Sequence, residues 1–234
     1  FRLWVATEGN LSRTDISCSY QRIEGAGKTL TKFWNVAKFV SGFERPRTKP
    51  PLQPMDEWIV HELNNVIENT QNGFESYDYF TPATNMRHFL WEMFASHYIE
   101  LVKNRAYNES GKFSEEEMNA AKWTLHYCVE TLLQLFSPII PLFTQHVYHE
   151  LYEKDVHALA FPIKMKVGTP AFSTEALLDY DSQIWKAKKD NGGSLKNPMK
   201  SVTFPQEFES VQKDLLFAHS IQAISFGTEF KLEL

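Results

Sequence analysis

Between residues 20 and 151, apolar side chains recur every three to four positions, the period of helices that each bury one face. Proline and glycine punctuation divides this region into five predicted helices. The first spans Tyr20 to Phe43 and ends in "ERPRTKPPLQP", which cannot continue a helix. Asp56 is the expected N-cap of the second, with Asn72-Gly73 as its stop signal. The third begins in "SYDYFTPATNMRHF" and carries Leu90, Phe94, Tyr98 and Leu101 at helical spacing. After Gly111, Ser114 and Glu117 form a Ser-x-x-Glu capping box for the fourth, reinforced by Glu115 and Glu116 at the positive end of the helix dipole. "SPIIP" stops that helix, and "LFTQHVYHEL" makes a short fifth.

From Ser173 the pattern changes. "STEALLDYDSQIWKAKKDNGG" reads as one helix closed by Asn191-Gly192-Gly193. A strand "KSVTF", a helix "QEFESVQKDLLFA" and two strands around Gly227 follow, with Phe230, Leu232 and Leu234 alternating onto one face. The expected fold class is therefore mainly α. An up-and-down helical bundle over residues 20–172 precedes a small α+β C-terminal unit over 173–234, and residues 1–19 are the tail of a preceding region.

On the first helix, Leu30, Phe33, Trp34, Ala37 and Val40 gather within about 120°, a full core stripe. Lys28, Lys32, Asn35 and Phe39 gather opposite. A large aromatic among lysines suits single-stranded nucleic acid, since lysines neutralise phosphates and a ring face stacks on an unpaired base. The same pattern also arises if Phe39 packs on a neighbouring helix or on the C-terminal unit.

Composition bounds both readings. Eighteen Phe, nine Tyr and six Trp supply a core and argue against disorder. The net charge of -5 argues weakly against a protein dedicated to nucleic acid, but it is a sum, and binding surfaces are local. From Lys28 to Lys49 the only acidic residue is Glu44, against Lys28, Lys32, Lys38, Arg45, Arg47 and Lys49. Such a run is either a solvated face plus loop or a polyanion site. No stretch approaches eighteen apolar residues, so no membrane span is expected. The opening "FRLWVATEGN" has no signal-peptide pattern and no Met, and reads as part of a longer, cytoplasmic-type protein. Cys18 and Cys128 are isolated.

Catalytic constellations are scarce. His61-Glu62 lacks the second histidine of a zinc-protease motif. His146 and His149 share a helical face without a further ligand nearby, Gly25 and Gly27 make no phosphate cradle, and "NPMKSV" reads as an ordinary strand entry. No catalytic residue and no metal set is expected.

Several segments resemble a known family in order: "FRLWVAT", "KFWNVAKFV" at 32–40, "FASHYIELVKNR" at 94–105, "SPIIPLFTQHVYHEL" at 137–151 and "IWKAKKDNGGSLKNP" at 184–198. Together they resemble the anticodon-binding region of class Ia aminoacyl-tRNA synthetases, with the wording of the valine-specific, archaeal-like branch. Lys38 stands where these enzymes usually have arginine, and Gln145 where they have glutamate. The resemblance implies a tRNA partner, specifically the anticodon stem-loop of a valine-accepting tRNA. It also implies a parent ligase that uses ATP in a catalytic domain outside these residues, so no cofactor is expected here. It assigns base contacts to Phe39 and Ile99. Lys28, Lys32, Lys38 and Lys103 would then meet phosphates or base edges, with Asn35 bonding an exposed base. A wheel sets Ile99 among Glu92, Ser96 and Lys103, away from Leu90, Phe94 and Leu101, so that Ile99 and Phe39, on polar faces of two helices, would together make a base-sized sandwich. Isoleucine and leucine enzymes share this bundle, and a protein–protein interaction bundle is the alternative of another class.

Overall fold

A computed structural model describes residues 1–10, 18–190, 194 and 197–233. The opening segment, expected only as a tail, forms helix α1 (Arg2–Glu8), with Leu3, Trp4 and Thr7 buried. The bundle follows as α2 (Tyr20–Ser41), α3 (Pro54–Glu75) and α4 (Phe80–His88). α4 passes directly into a π-helical segment (Phe89–Tyr98) and on into α5 (Ile99–Tyr107), so the three form one rod. α6 (Glu115–Phe136) and α7 (Pro141–Tyr152) complete the bundle. The box predicted at Ser114 is present: its Oγ accepts from the Glu117 N–H at 3.1 Å, and Glu117 Oε2 accepts from the Ser114 N–H at 2.7 Å.

Two helix-end expectations are corrected. Asp56 is not the N-cap of α3; Gln53 is, and Asp56 reaches back from the third helical position to accept the Gln53 N–H at 3.1 Å. Nor does Asn72-Gly73 stop α3, which continues to Glu75. Gly73 is there for close approach: a Cβ at this position would lie 2.3 Å from Pro82 Cγ, on the helix packed against it. A glycine read as a stop is a helix–helix contact.

After a 3-10 turn at Val156–Ala158, residues 159–173 cross the bundle as an irregular strap. Asn64 holds it from α3, donating to Met165 O at 2.7 Å and accepting from Met165 N–H at 2.8 Å. The C-terminal unit consists of α8 (Thr174–Asp190), β1 (Met199–Pro205), a 3-10 stretch at Gln206–Val211 leading into α9 (Gln212–His219), β2 (Ile221–Gly227) and β3 (Lys231–Glu233). The sheet order is β2-β1-β3, with β1 parallel to β2 and antiparallel to β3. Leu232 pairs with Val202 as the alternation suggested, whereas Leu234 and Asn191-Gly192-Gly193 lie outside the described residues.

This unit is joined to the bundle by buried charge. Arg105 of α5 gives both terminal nitrogens to Asp56 of α3, at 2.7 and 2.8 Å, and its Nε to Asp214 of α9 at 2.9 Å. Tyr98 donates to the same Asp56 at 2.6 Å. Two carboxylates share one guanidinium, so the cluster carries a net negative charge in a water-poor site. Burial accordingly pushes the Asp214 carboxyl up to about 6. Nearby, Asp181 of α8 bonds His97 of the π segment and lies 2.8 Å from His219 Nε2. Trp58 Nε1 donates to Thr174 at 2.9 Å.

Candidate nucleic-acid interface

α2 and the α4–α5 rod lie side by side and run in the same direction. Near the middle of both, the Lys32 ammonium sits 5.2 Å above the Trp91 ring. Near their ends, Phe39 and Phe43 of α2 meet Tyr107, at 6.2 and 4.8 Å between ring centroids. The seam between the two forms a groove that opens around Lys28, Arg87 and Trp91 and is bridged by contacting rings at its far end.

The helical repeat explains which side chains face it. The buried positions of α2 are Ala26, Thr29, Phe33, Val36, Ala37 and Val40. With about 100° per residue, Lys28, Lys32 and Phe39 fall on the flank of this arc toward the rod. Asn35 and Lys38 point outward and are exposed. Trp34 falls on the other flank, toward α7. It was expected in the core, but is 42 % exposed and stacks on His146 at 5.7 Å with an interplanar angle of 6°.

Phe39 is half-buried rather than open, with its ring edge-on to Phe43 at 5.2 Å. Its neighbour Tyr107 is 53 % exposed, so the cluster presents ring surface at the far end of the groove. Ile99 departs from expectation. It is only 6 % exposed, not on an open polar face. The cause is the π-helical segment before it: with i→i+5 bonding, a wheel of 100° per residue loses register between Glu92 and Ile99. Ser96 shows this spacing, donating its hydroxyl to Trp91 O, five residues back. The two residues are thus not opposed walls of an open sandwich. Ile99 is instead buried on α5, at steps of four from Lys103 and Tyr107.

The cations divide into engaged and free. Lys103 is paired with Glu100, and Arg45 is committed to Glu130 at 2.5 Å and to the Tyr152 ring at 5.1 Å. Among the described residues, Lys28, Lys38 and Arg87 enter no ion pair. Beneath the aromatic end, His126 Nε2 donates to Phe43 O at 2.9 Å, and burial holds this histidine below its usual pKa. Its neutral ring fixes the α2 terminus that presents Phe39. Gln145 accepts the Val156 N–H at 2.9 Å, a structural role for that departure from the family wording. No three-residue His, Cys, Asp or Glu group among the described residues could hold a metal. Nor is any described helix long and apolar enough to cross a membrane.

Trp91, Tyr107 and Arg87 escaped the sequence reading. Trp91 and Tyr107 look like ordinary members of an apolar stripe. Only knowing that α2 lies alongside them reveals a shared groove.

A parallel pair of helices that presents lysines and rings offers the phosphate and base contacts that suit a nucleic acid. Residues 56–203, well over half of the chain, match the family model described as the anticodon-binding domain of tRNA ligase, and the chain belongs to this family. It is 34 % identical over 230 residues to a valine–tRNA ligase of Pyrobaculum aerophilum, covering 97 % of this chain and 28 % of the relative. It is 31 % identical over 229 residues to the valine–tRNA ligase of Aeropyrum pernix, and 29 % over 222 to that of Nanoarchaeum equitans, covering 94 % of this chain in each case. The chain spans about 28 % of the length of these relatives.

Proposed function

We propose that this chain is the anticodon-binding part of a valine–tRNA ligase and holds the anticodon stem-loop of a valine-accepting tRNA along the α2–rod groove. The full-length enzyme would activate valine with ATP and join it to the tRNA, while these residues supply grip and discrimination. The observation that carries the reading is the groove itself: Lys28, which has no ion-pair partner among the described residues, Lys32 above Trp91, and the Phe39–Phe43–Tyr107 cluster follow one face of α2, with Lys38 exposed beside it. Lysines suit the phosphates, Asn35 suits an unpaired base edge, and Phe39 with Tyr107 suits a stacked base. Lys38, in place of arginine, acts as a point charge rather than a two-pronged donor. Ile99 contributes by shaping the floor beneath the bases, and Lys103 does so from its pair with Glu100.

Binding of purified valine, isoleucine and leucine tRNAs to the chain tests this reading. The expected result is a preference for the valine tRNA and an affinity that falls steeply with salt, as counterion release requires. Preference for an isoleucine tRNA would transfer the reading to that branch of the family. Salt-indifferent binding to a protein partner, with no tRNA bound, would replace it with an interaction bundle.

A further inference from the structure

We propose a second nucleotide subsite, remote from Phe39, in a cleft of about 480 Å³ between the first half of α2 and α4 with the adjoining π segment. It rests on the tRNA reading above and deepens it at the basic end of the same groove. The cleft would take one unpaired nucleotide of the bound RNA, its base against Trp91 and its phosphate between Lys28 and Arg87.

Four observations converge there. Lys28 and Arg87 both line the cleft, and among the described residues neither has an ion-pair partner, while Glu92 is the one carboxylate in the lining. Unneutralised cations converging across a concave surface are the electrostatic setting for a phosphodiester. Trp91 forms part of the same lining and carries the Lys32 ammonium above its ring. A base taking that place gains a stacking platform, and the long lysine chain can swing to the adjoining phosphate. Thr84, also in the lining, has an Oγ1 with no hydrogen-bond partner among the described residues; it is shielded within the chain, and a turn of its side chain would bring it to a polar ligand atom.

Gly25 gives the fourth observation. It lies inside α2, where glycine is a poor helix former, and a Cβ built on it would meet nothing within 4 Å. Among the described residues no packing calls for a glycine here, in contrast to Gly73. A missing side chain at the mouth of the cleft gives room for an external backbone. Gly27 is equally open but does not line the cleft, which makes it a matched control.

The test compares the 234-residue chain with Gly25→Gln, Gly27→Gln, the double variant Lys28→Gln/Arg87→Gln, and Phe39→Leu, using a valine-accepting tRNA transcript as the probe. Anisotropy titrations at several salt concentrations accompany thermal melts. Gly25→Gln is expected to melt at or above the parent temperature, because glutamine is the better helix former, yet to bind at least about fivefold more weakly. Gly27→Gln should melt similarly and bind as the parent does. The double variant should lower the salt slope by about one. If Gly25→Gln and the double variant bind like the parent while Phe39→Leu is weakened, the subsite is overturned and the tRNA reading stands. If the parent chain itself binds no tRNA, the functional reading fails, and the subsite with it.

Discussion

Phe39→Leu separates an RNA contact from a structural role for this ring. The ring is half-buried and touches Phe43 and Tyr107 edge-on, so its removal carries a folding cost that must be kept apart from any binding cost. Full truncation to alanine confuses the two. A fully buried Phe→Ala change costs about 3–5 kcal/mol, and roughly half of that for a half-buried ring is already about 2 kcal/mol. Leucine keeps most of the apolar volume and loses the π face, which holds the folding cost near 1 kcal/mol, below the ~1.5 kcal/mol ceiling for such swaps. For a chain of this size that shifts the melting temperature by about 2–4 °C. Stacking on an unpaired base is worth about 1–3 kcal/mol, so tRNA affinity should fall about 5- to 150-fold. Titration well below the melting transition reads the binding loss directly. A leucine variant that melts a few degrees lower and binds tRNA as tightly as the parent would refute Phe39 as a base contact and return it to the core.

Other expectations concern the frame that holds the groove. Gly73→Ala should destabilise by about 1–3 kcal/mol in urea unfolding, because overpacking against Pro82 outweighs the gain in helix propensity. Arg105→Met leaves Asp56 and Asp214 buried without their cation and should cost about 3–5 kcal/mol, measured the same way. The pH dependence follows from Asp214, whose folded carboxyl titrates at about 6, above its unfolded range. Between about pH 4 and 6 the folded chain holds the extra proton, so this residue's contribution to stability falls as pH rises through that window and levels off above it. Subtracting the unfolding profile of Asp214→Asn from that of the parent should isolate this slope; a flat difference would contradict it.

The bundle was legible because proline, glycine and capping chemistry are local. α6 begins where Ser114 and Glu117 say it does, and α2 ends before the proline-rich loop. What escaped depends on neighbours. Gly73 looks like punctuation until Pro82 is known to press on it. Asp56 looks like a cap, and it does reach an N-terminal amide, but its main partner is Arg105, 49 residues on. Trp34 lies at the edge of an apolar arc, and which edge is covered depends on where α7 packs. Ile99 was misplaced by arithmetic, since a π-helical stretch breaks the assumed turn angle. The candidate site was half visible: its lysines and Phe39 sit on one helix, whereas Arg87, Trp91 and Tyr107 come from a second helix whose alignment no pattern announces.

The Arg105 cluster bears on how this protein can be dissected. A chain cut after residue 172 would keep every helix of the bundle, yet would strip Asp214 from Arg105, Asp181 from His97 and Thr174 from Trp58. The scission would open a wet, charged wound against the very rod that forms one bank of the groove. A minimal tRNA-gripping piece of this protein therefore has to retain its last sixty residues or so, even if none of them ever touches RNA.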